Sequence, residues 1–176
     1  MSNFIEELVS EYFRTKGYFV MTNYWFPIIS ERRRNQGGRA QTYTARSWSD
    51  IDVVAINENE LLLIQVKAII NSRSAAQKVI NFFENVNTHL ELENNNFQQN
   101  NRWWSNGRTT KKILVYEFYS PPSYLDILTQ NNIQVINFKN YFDDLLNYVR
   151  NREGIKEGNS TLRFLHFLVN NNLINQ

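Results

Sequence analysis

A chain of 176 residues is long enough to bury a substantial core within one domain. Its apolar content of 42% and aromatic content of 14% exclude a disordered chain, and the absence of cysteine excludes disulfides and thiolate zinc sites. The net charge of +2 is too small to indicate a nucleic-acid partner, so such a partner has to be inferred from clusters of basic residues. No apolar stretch reaches bilayer-spanning length, and the N-terminus lacks a signal-peptide pattern, which predicts a cytoplasmic protein without a membrane partner.

Helical and strand periodicities alternate along the chain, which predicts an α/β fold with a mixed sheet. The first helix is expected to end at Gly17, because glycine readily adopts the backbone conformation that follows a helix. In chain order the patterns predict a helix over 3–16, a strand over 18–29, a polar loop over 30–48, strands over 51–56 and 61–66, a helix over 74–90, a long loop over 93–110, a strand over 113–119, a helix over 123–130, a strand over 133–138, a helix over 141–150, a linker over 153–159 and a helix over 161–173.

The two short apolar strands 51–56 and 61–66 carry polar residues where packing does not need them. Asp52 begins the first strand, and Gln65 and Lys67 end the second. Strand side chains alternate between faces, so Gln65 and Lys67 point to one side, and a hairpin brings Asp52 beside them. Because an unpaired charge in a core is costly, this group predicts a functional site. The alternative is that Asp52 caps a strand while Gln65 and Lys67 form a solvated pair on an edge strand.

The arrangement resembles the PD-(D/E)xK nuclease superfamily, whose signature is an Asp that opens one strand and a Glu-x-Lys that closes the next. Asp52, Gln65 and Lys67 fall on those positions, although Gln65 stands where most members have an acidic residue and Ile51 replaces the proline. Gln-x-Lys is similar to the Mrr-type restriction branch. The segments 5–20 and 132–145 also resemble Mrr-type domains, and the first of them resembles archaeal Holliday-junction resolvases.

The resemblance covers roughly residues 4–149 and implies a restriction-endonuclease-like mixed central sheet flanked by helices. It implies a nuclease-like domain over 1–152, with 153–176 as a linker and a C-terminal helix packed on the same domain. The implied activity is that of a metal-dependent DNA endonuclease of restriction, repair or junction-resolving type. The implied cofactor is Mg²⁺, with Mn²⁺ as a substitute, and the implied partners are DNA and a second copy of the chain.

In the chemistry that this resemblance implies, Asp52 and Gln65 are metal ligands and Lys67 is the catalytic lysine. A glutamate of the first helix completes the metal site in the related families, and Glu6 lies at the matching distance before Gly17. Helical phasing places Glu6 at the border of the apolar stripe and the alternative, Glu7, farther toward solvent. Asp50 shares the strand face of Asp52 and either binds a metal or anchors Lys67.

Basic and aromatic residues cluster before the hairpin and again after the second helix. Phosphate contacts from the first cluster would position a DNA strand over the metal, and the second offers bases an aromatic surface. The alternative is that both are solubilising loops. The predicted DNA-binding residues are Arg32, Arg33, Arg34, Arg39, Arg46, Trp48, Lys78, Arg102, Trp103, Trp104 and Arg108.

Two other functions are compatible with the same sequence. In the first, the chain is a DNA-binding module that kept the fold and lost the metal, with Gln65 as the trace of that loss. In the second, it is a subunit of a nuclease complex without activity of its own. Metal dependence separates the enzyme from the binding module, because the module binds DNA equally well in the presence of a chelator.

Overall fold

The structure, a computed structural model, describes residues 2–36, 39–96, 107–151 and 160–174. Five strands form one mixed sheet in the order β1-β2-β3-β4-β5, with helices on both faces. Strand β2 is antiparallel to its two neighbours, β1 and β3, whereas β3, β4 and β5 are parallel. The predicted α/β fold with a mixed central sheet flanked by helices is confirmed. The elements are α1 (Ser2–Thr15), β1 (Phe19–Gln36), β2 (Arg39–Ile56), β3 (Glu60–Lys67), α2 (Arg73–Asn96), β4 (Thr109–Tyr116), α3 (Pro122–Gln130), β5 (Ile133–Asn137), α4 (Phe138–Arg150) and α5 (Ser160–Asn170).

The sheet separates two apolar cores, because alternate residues of the buried strands point to opposite faces. On β3, Leu61 and Leu63 pack toward α2 and α3, whereas Leu62, Ile64 and Val66 pack toward α1 and α4. A strand covered on both faces is expected to be continuously apolar, as 61–64 is. The polar residues at the end of β3 therefore interrupt a buried strand.

A long two-stranded ribbon stands where the sequence predicted a polar loop over 30–48. Strands β1 and β2 pair without a change of register from Phe19 opposite Ile56 to Gln36 opposite Arg39. Because β2 pairs with β3 only over 53–56, most of this ribbon extends past the sheet. The prediction of a loop is wrong, since antiparallel strands satisfy each other's backbone groups and need no apolar face to do so.

The C-terminal helix α5 packs on the same body as the sheet. Leu162 and Leu165 contribute to a third core together with Leu8 of α1 and Leu145 of α4. The predicted loop over 93–110 is partly wrong, because 93–96 continue α2 and 109–110 begin β4. The rest of that predicted loop, residues 97–106, and the predicted linker 153–159 lie outside the described residues. No helix in the described ranges is long and apolar enough to cross a membrane.

Candidate active site at the end of β3

The side-chain alternation of the β1–β2 pair shifts at one point, and Asp52 lies there. On β2, Val53 packs on the α1 side, whereas Ile51 packs on the α2 side, as Val54 does. The neighbouring pairs, Thr22 opposite Val53 and Tyr24 opposite Ile51, bracket Asn23 and Asp52 on the two strands. Asn23 has a positive φ of 52°, which asparagine tolerates better than most residues. The local distortion therefore places Asp52 at the residue where the alternation of β2 side chains between the two faces of the sheet is interrupted.

We expect the stability of Asn23 variants to depend on how well the new residue tolerates a positive φ. Asn23→Gly should keep the stability of the parent, because glycine adopts positive φ without a steric penalty. Asn23→Val should lower the free energy of unfolding by about 1–3 kcal/mol, the usual cost of a strained φ/ψ. Chemical denaturation of the two variants measures the difference, and equal stabilities would show that the backbone at residue 23 is not strained.

The Asp52 carboxylate is buried and accepts a hydrogen bond from a backbone N–H of β3, where a strand carbonyl would otherwise be the acceptor. The β2–β3 pairs end at Val53 opposite Ile64, and one step further the Val66 N–H donates to Asp52 Oδ2 at 2.6 Å. Burial raises the pKa of the Asp52 carboxyl from 3.8 to about 6, against the opposing effects of that hydrogen bond and of the Lys67 charge. Asp52 is therefore ionised at neutral pH, and its buried charge lowers the stability of the folded chain.

Gln65 carries a buried acceptor that the protein leaves unpaired. Its side chain is 5% exposed, and its Oε1 has no hydrogen-bond partner among the described residues. A buried carbonyl oxygen without a donor costs about 1–3 kcal/mol. Such an atom at the end of a strand fits a position that an external donor or a cation completes.

The charged residues near Asp52 are the ones that the sequence analysis predicted, namely Lys67, Glu6 and Asp50. Lys67 lowers the pKa of Asp52 by its positive charge, and Glu6 and Asp50 raise it by their negative charges, so all three lie within electrostatic reach of Asp52. Glu6 is buried on α1, at 8% exposure. Glu7 turns away from this cluster, because its Oε1 accepts a hydrogen bond from the Thr161 hydroxyl of α5. The geometry therefore favours Glu6 over Glu7 as the auxiliary ligand.

The donors gathered here are of the kind that Mg²⁺ binds. Asp52, Glu6 and Asp50 offer carboxylate oxygens and Gln65 an amide oxygen, and hard cations of this type take oxygen ligands. Within the described ranges, no three His, Cys, Asp or Glu side chains are close enough together to hold a metal ion. The fit therefore depends on the unpaired Gln65 Oε1, which belongs to the residue before the Val66 N–H that binds Asp52, with water and phosphate oxygens left to complete the coordination.

The structure brings some of the predicted DNA-binding residues to this region and not others. Arg46 and Trp48 are exposed on β2, within a few residues of Asp52, and Lys78 of α2 lines the cleft that contains Gln65 and Lys67. Arg108 donates from Nε to the carbonyl of Asn57, at the opposite end of β3 from Lys67. Arg108 is therefore not part of this site. The side chains of Arg32, Arg33, Arg34 and Arg39, and the whole of Arg102, Trp103 and Trp104, lie outside the described part of the chain.

Two features near Asp52 were not predicted from the sequence. Asn23 shapes the β1–β2 pair at Asp52, and its only signal was a residue unfavourable in strands within an aromatic, β-branched run. Trp25 lies directly opposite Asp50 on the ribbon and is 59% exposed, which adds a second exposed indole to that of Trp48.

Comparisons with known proteins leave the family open. No protein-family profile and no curated protein sequence matches this chain. A solved crystal structure described as that of a protein of unknown function, AF1548, is similar with a TM-score of 0.45 and 17% sequence identity. The similarity covers 89% of this chain and 62% of the other, so this chain spans less than two thirds of that protein's length.

Proposed function

We propose that the protein is a metal-dependent DNA endonuclease that hydrolyses phosphodiester bonds at the end of β3. The observation that carries the proposal is the convergence at Asp52. This buried carboxylate lies within electrostatic reach of Lys67 and Glu6, and Gln65, on the strand that bonds to Asp52, carries a buried oxygen without a hydrogen-bond partner among the described residues. A fold does not keep Asp52, Glu6 and Gln65 buried for stability, because each of these polar groups is costly to bury.

Each side chain of the cluster has a role in this chemistry. Asp52 and the Gln65 amide oxygen would hold Mg²⁺ or Mn²⁺, with Glu6 as the auxiliary ligand. When bound, a divalent metal polarises the phosphate and lowers the pKa of a bound water. The Lys67 ammonium would orient the attacking water and offset the negative charge that develops on the phosphate. Asp50 would hold Lys67 in place.

The positive charges around the site support DNA as the substrate. Lys67 and Lys78 line one cleft, and Arg46 is exposed on the neighbouring ribbon. Cations around a site attract phosphates, whereas an exposed indole such as that of Trp48 offers a surface for stacking on a base. A homodimer would supply two such sites, one for each strand of a duplex.

Glu6 and Glu7 provide a matched pair of variants that tests the proposed function. With plasmid and four-way-junction DNA, the parent protein should cut in Mg²⁺ or Mn²⁺ and not in EDTA. Glu6→Gln should cut at least tenfold more slowly at limiting Mg²⁺, because the site loses one anionic oxygen. Glu7→Gln should cut like the parent, since Glu7 bonds to Thr161 instead.

The outcomes of this assay separate the proposal from its rival. Binding of DNA without cutting in any metal would overturn the nuclease and leave a DNA-binding module. Equal losses in Glu6→Gln and Glu7→Gln would show that Glu6 has no special part in the site. Gel analysis of nicked and linear products measures both results in one experiment.

A further inference from the structure

A cleft of about 350 Å³ lies beside the candidate active site, between α2 and the end of β3. Gln65 and Lys67 form part of its lining, so it is continuous with the cluster around Asp52. Its volume is at the lower end of the range of small-molecule sites, about 300–1,000 Å³. A cleft of this size accommodates one small organic group and excludes a DNA duplex.

One wall of the cleft is apolar and is built from packed elements. Ala75, Val79 and Phe82 of α2 line it, together with Ile69. The Phe82 ring packs edge-on against Phe26, with ring centres 5.9 Å apart. The wall is therefore preformed and does not depend on a ligand for its shape.

The segment that follows β3 is also held in place. The Ile70 N–H donates to Ser120 Oγ at 2.9 Å, and both residues are buried. This bond ties the 68–72 turn to the segment after β4. The side of the cleft next to Lys67 is therefore as well defined as the helical side.

The charges at the cleft favour an anion that also has an apolar face. Lys67 and Lys78 supply two ammonium groups, and Asp50 supplies one carboxylate. The net charge of the lining is positive, so a phosphate is attracted, while Phe82 and the aliphatic side chains favour a flat apolar ring. A nucleotide combines these two properties.

We propose that this cleft receives a single unstacked nucleotide of the DNA strand that is cut. Its base packs against Phe82 and the aliphatic wall, and the adjoining phosphates lie near Lys67 and Lys78. The inference rests on the proposed function and names its substrate class, which is DNA with an unpaired nucleotide at the cut. Taking a base out of the stack costs least where it is already unpaired.

A matched pair of variants on α2 tests the cleft. Ala75→Phe places a ring inside the cleft, whereas Gln77→Phe places the same ring on an exposed position of the same helix that does not line it. Fluorescence anisotropy in EDTA measures binding to a labelled duplex, with and without one unpaired nucleotide. The parent and Gln77→Phe should bind the second duplex roughly tenfold more tightly, as stacking of one base contributes.

Ala75→Phe should lose this preference and keep the binding of the fully paired duplex. An equal preference in Ala75→Phe and Gln77→Phe would overturn the inference, provided that both variants melt at the temperature of the parent. A change of sedimentation in Ala75→Phe alone, with the preference unchanged, would assign the cleft to contacts between two copies and would also overturn it. If Ala75→Phe unfolds, Ile69→Phe repeats the test from the segment after β3, where Ile69 lines the cleft and is 41% exposed.

The same design separates this inference from the proposed function. Binding in EDTA needs no catalysis, whereas cleavage in Mg²⁺ tests the nuclease. A protein that prefers the unpaired nucleotide and cuts nothing would refute the nuclease and keep the cleft. A protein that cuts both duplexes equally well, and binds them equally well, would keep the nuclease and refute the cleft.

Discussion

Lys67→Ala should lower the rate of DNA cleavage in Mg²⁺ by about 10²–10³-fold, the usual loss when one charge-stabilising group is removed from an active site. The Lys67 side chain is exposed at the end of β3 and within electrostatic reach of the buried Asp52 carboxylate. The ammonium is thus positioned to act on a water and a phosphate without contributing to the core. The variant should fold normally and still bind DNA.

Lys139→Ala is the matched control for this variant. Lys139 is an exposed lysine of α4 that pairs with Asp143 of the same helix. Its removal changes the net charge by the same amount and should leave the cleavage rate within about twofold of the parent, since surface pairs contribute little. Single-turnover cleavage with saturating protein separates the chemical step from binding. Equal rates for Lys67→Ala and the parent would remove Lys67 from the mechanism.

Asp52→Asn should abolish cleavage and, in EDTA at pH 7.5, should make the protein more stable. Burial raises the pKa of Asp52 to about 6 in the folded chain, against 3.8 as its ordinary value. Between these two values the folded state binds the proton more tightly than the unfolded state does, so the stability of the parent falls as pH rises from about 4 to 6. Above pH 6 the ionised carboxylate costs about 3 kcal/mol, which a neutral amide avoids.

The gain in stability of Asp52→Asn over the parent should depend on pH and on added metal. It should be about 1–3 kcal/mol at pH 7.5 and much smaller at pH 4, where the Asp52 carboxyl of the parent is protonated in the folded chain. Added Mg²⁺ should stabilise the parent and not the variant, because a ligand stabilises only the state that binds it. Thermal unfolding across this pH range measures both effects. Asp126→Asn, at an exposed position of α3, should show neither the pH-dependent gain in stability nor the loss of stabilisation by Mg²⁺. A loss of stability in Asp52→Asn at pH 7.5 would show that the ionised Asp52 does not destabilise the fold.

The buried strands were predictable because their chemistry is local. The apolar run over 51–56 matches the last part of β2 and the run over 61–66 matches nearly all of β3, and the polar residues Asp52, Gln65 and Lys67 stand out against that background. The alternation of Gln65 and Lys67 also follows from strand geometry alone. The grouping of Asp52, Gln65 and Lys67 was therefore predicted from spacing, although their roles remain proposals.

The ribbon and the cleft depend on contacts that the sequence does not reveal. The segment 30–48 is mostly polar and rich in Arg, so nothing in its periodicity distinguished a paired strand from a loop. Asn23 has a positive φ opposite Asp52, and an asparagine within an aromatic, β-branched run was the only sequence signal of that backbone conformation. The cleft arises from how α2 packs against the turn after β3, and a helix's amphipathic pattern does not specify that angle.

The proposed nuclease requires that Gln65 leaves a working metal site and is not the trace of a lost one. Isothermal titration of Mn²⁺ into the parent protein and into Gln65→Leu tests this requirement, since leucine keeps much of the volume and removes the unpaired oxygen. We predict one Mn²⁺ per chain for the parent and at least tenfold weaker binding for Gln65→Leu, which should fold at least as stably without metal. Equal Mn²⁺ binding by the two proteins, or none by the parent, would contradict the claim.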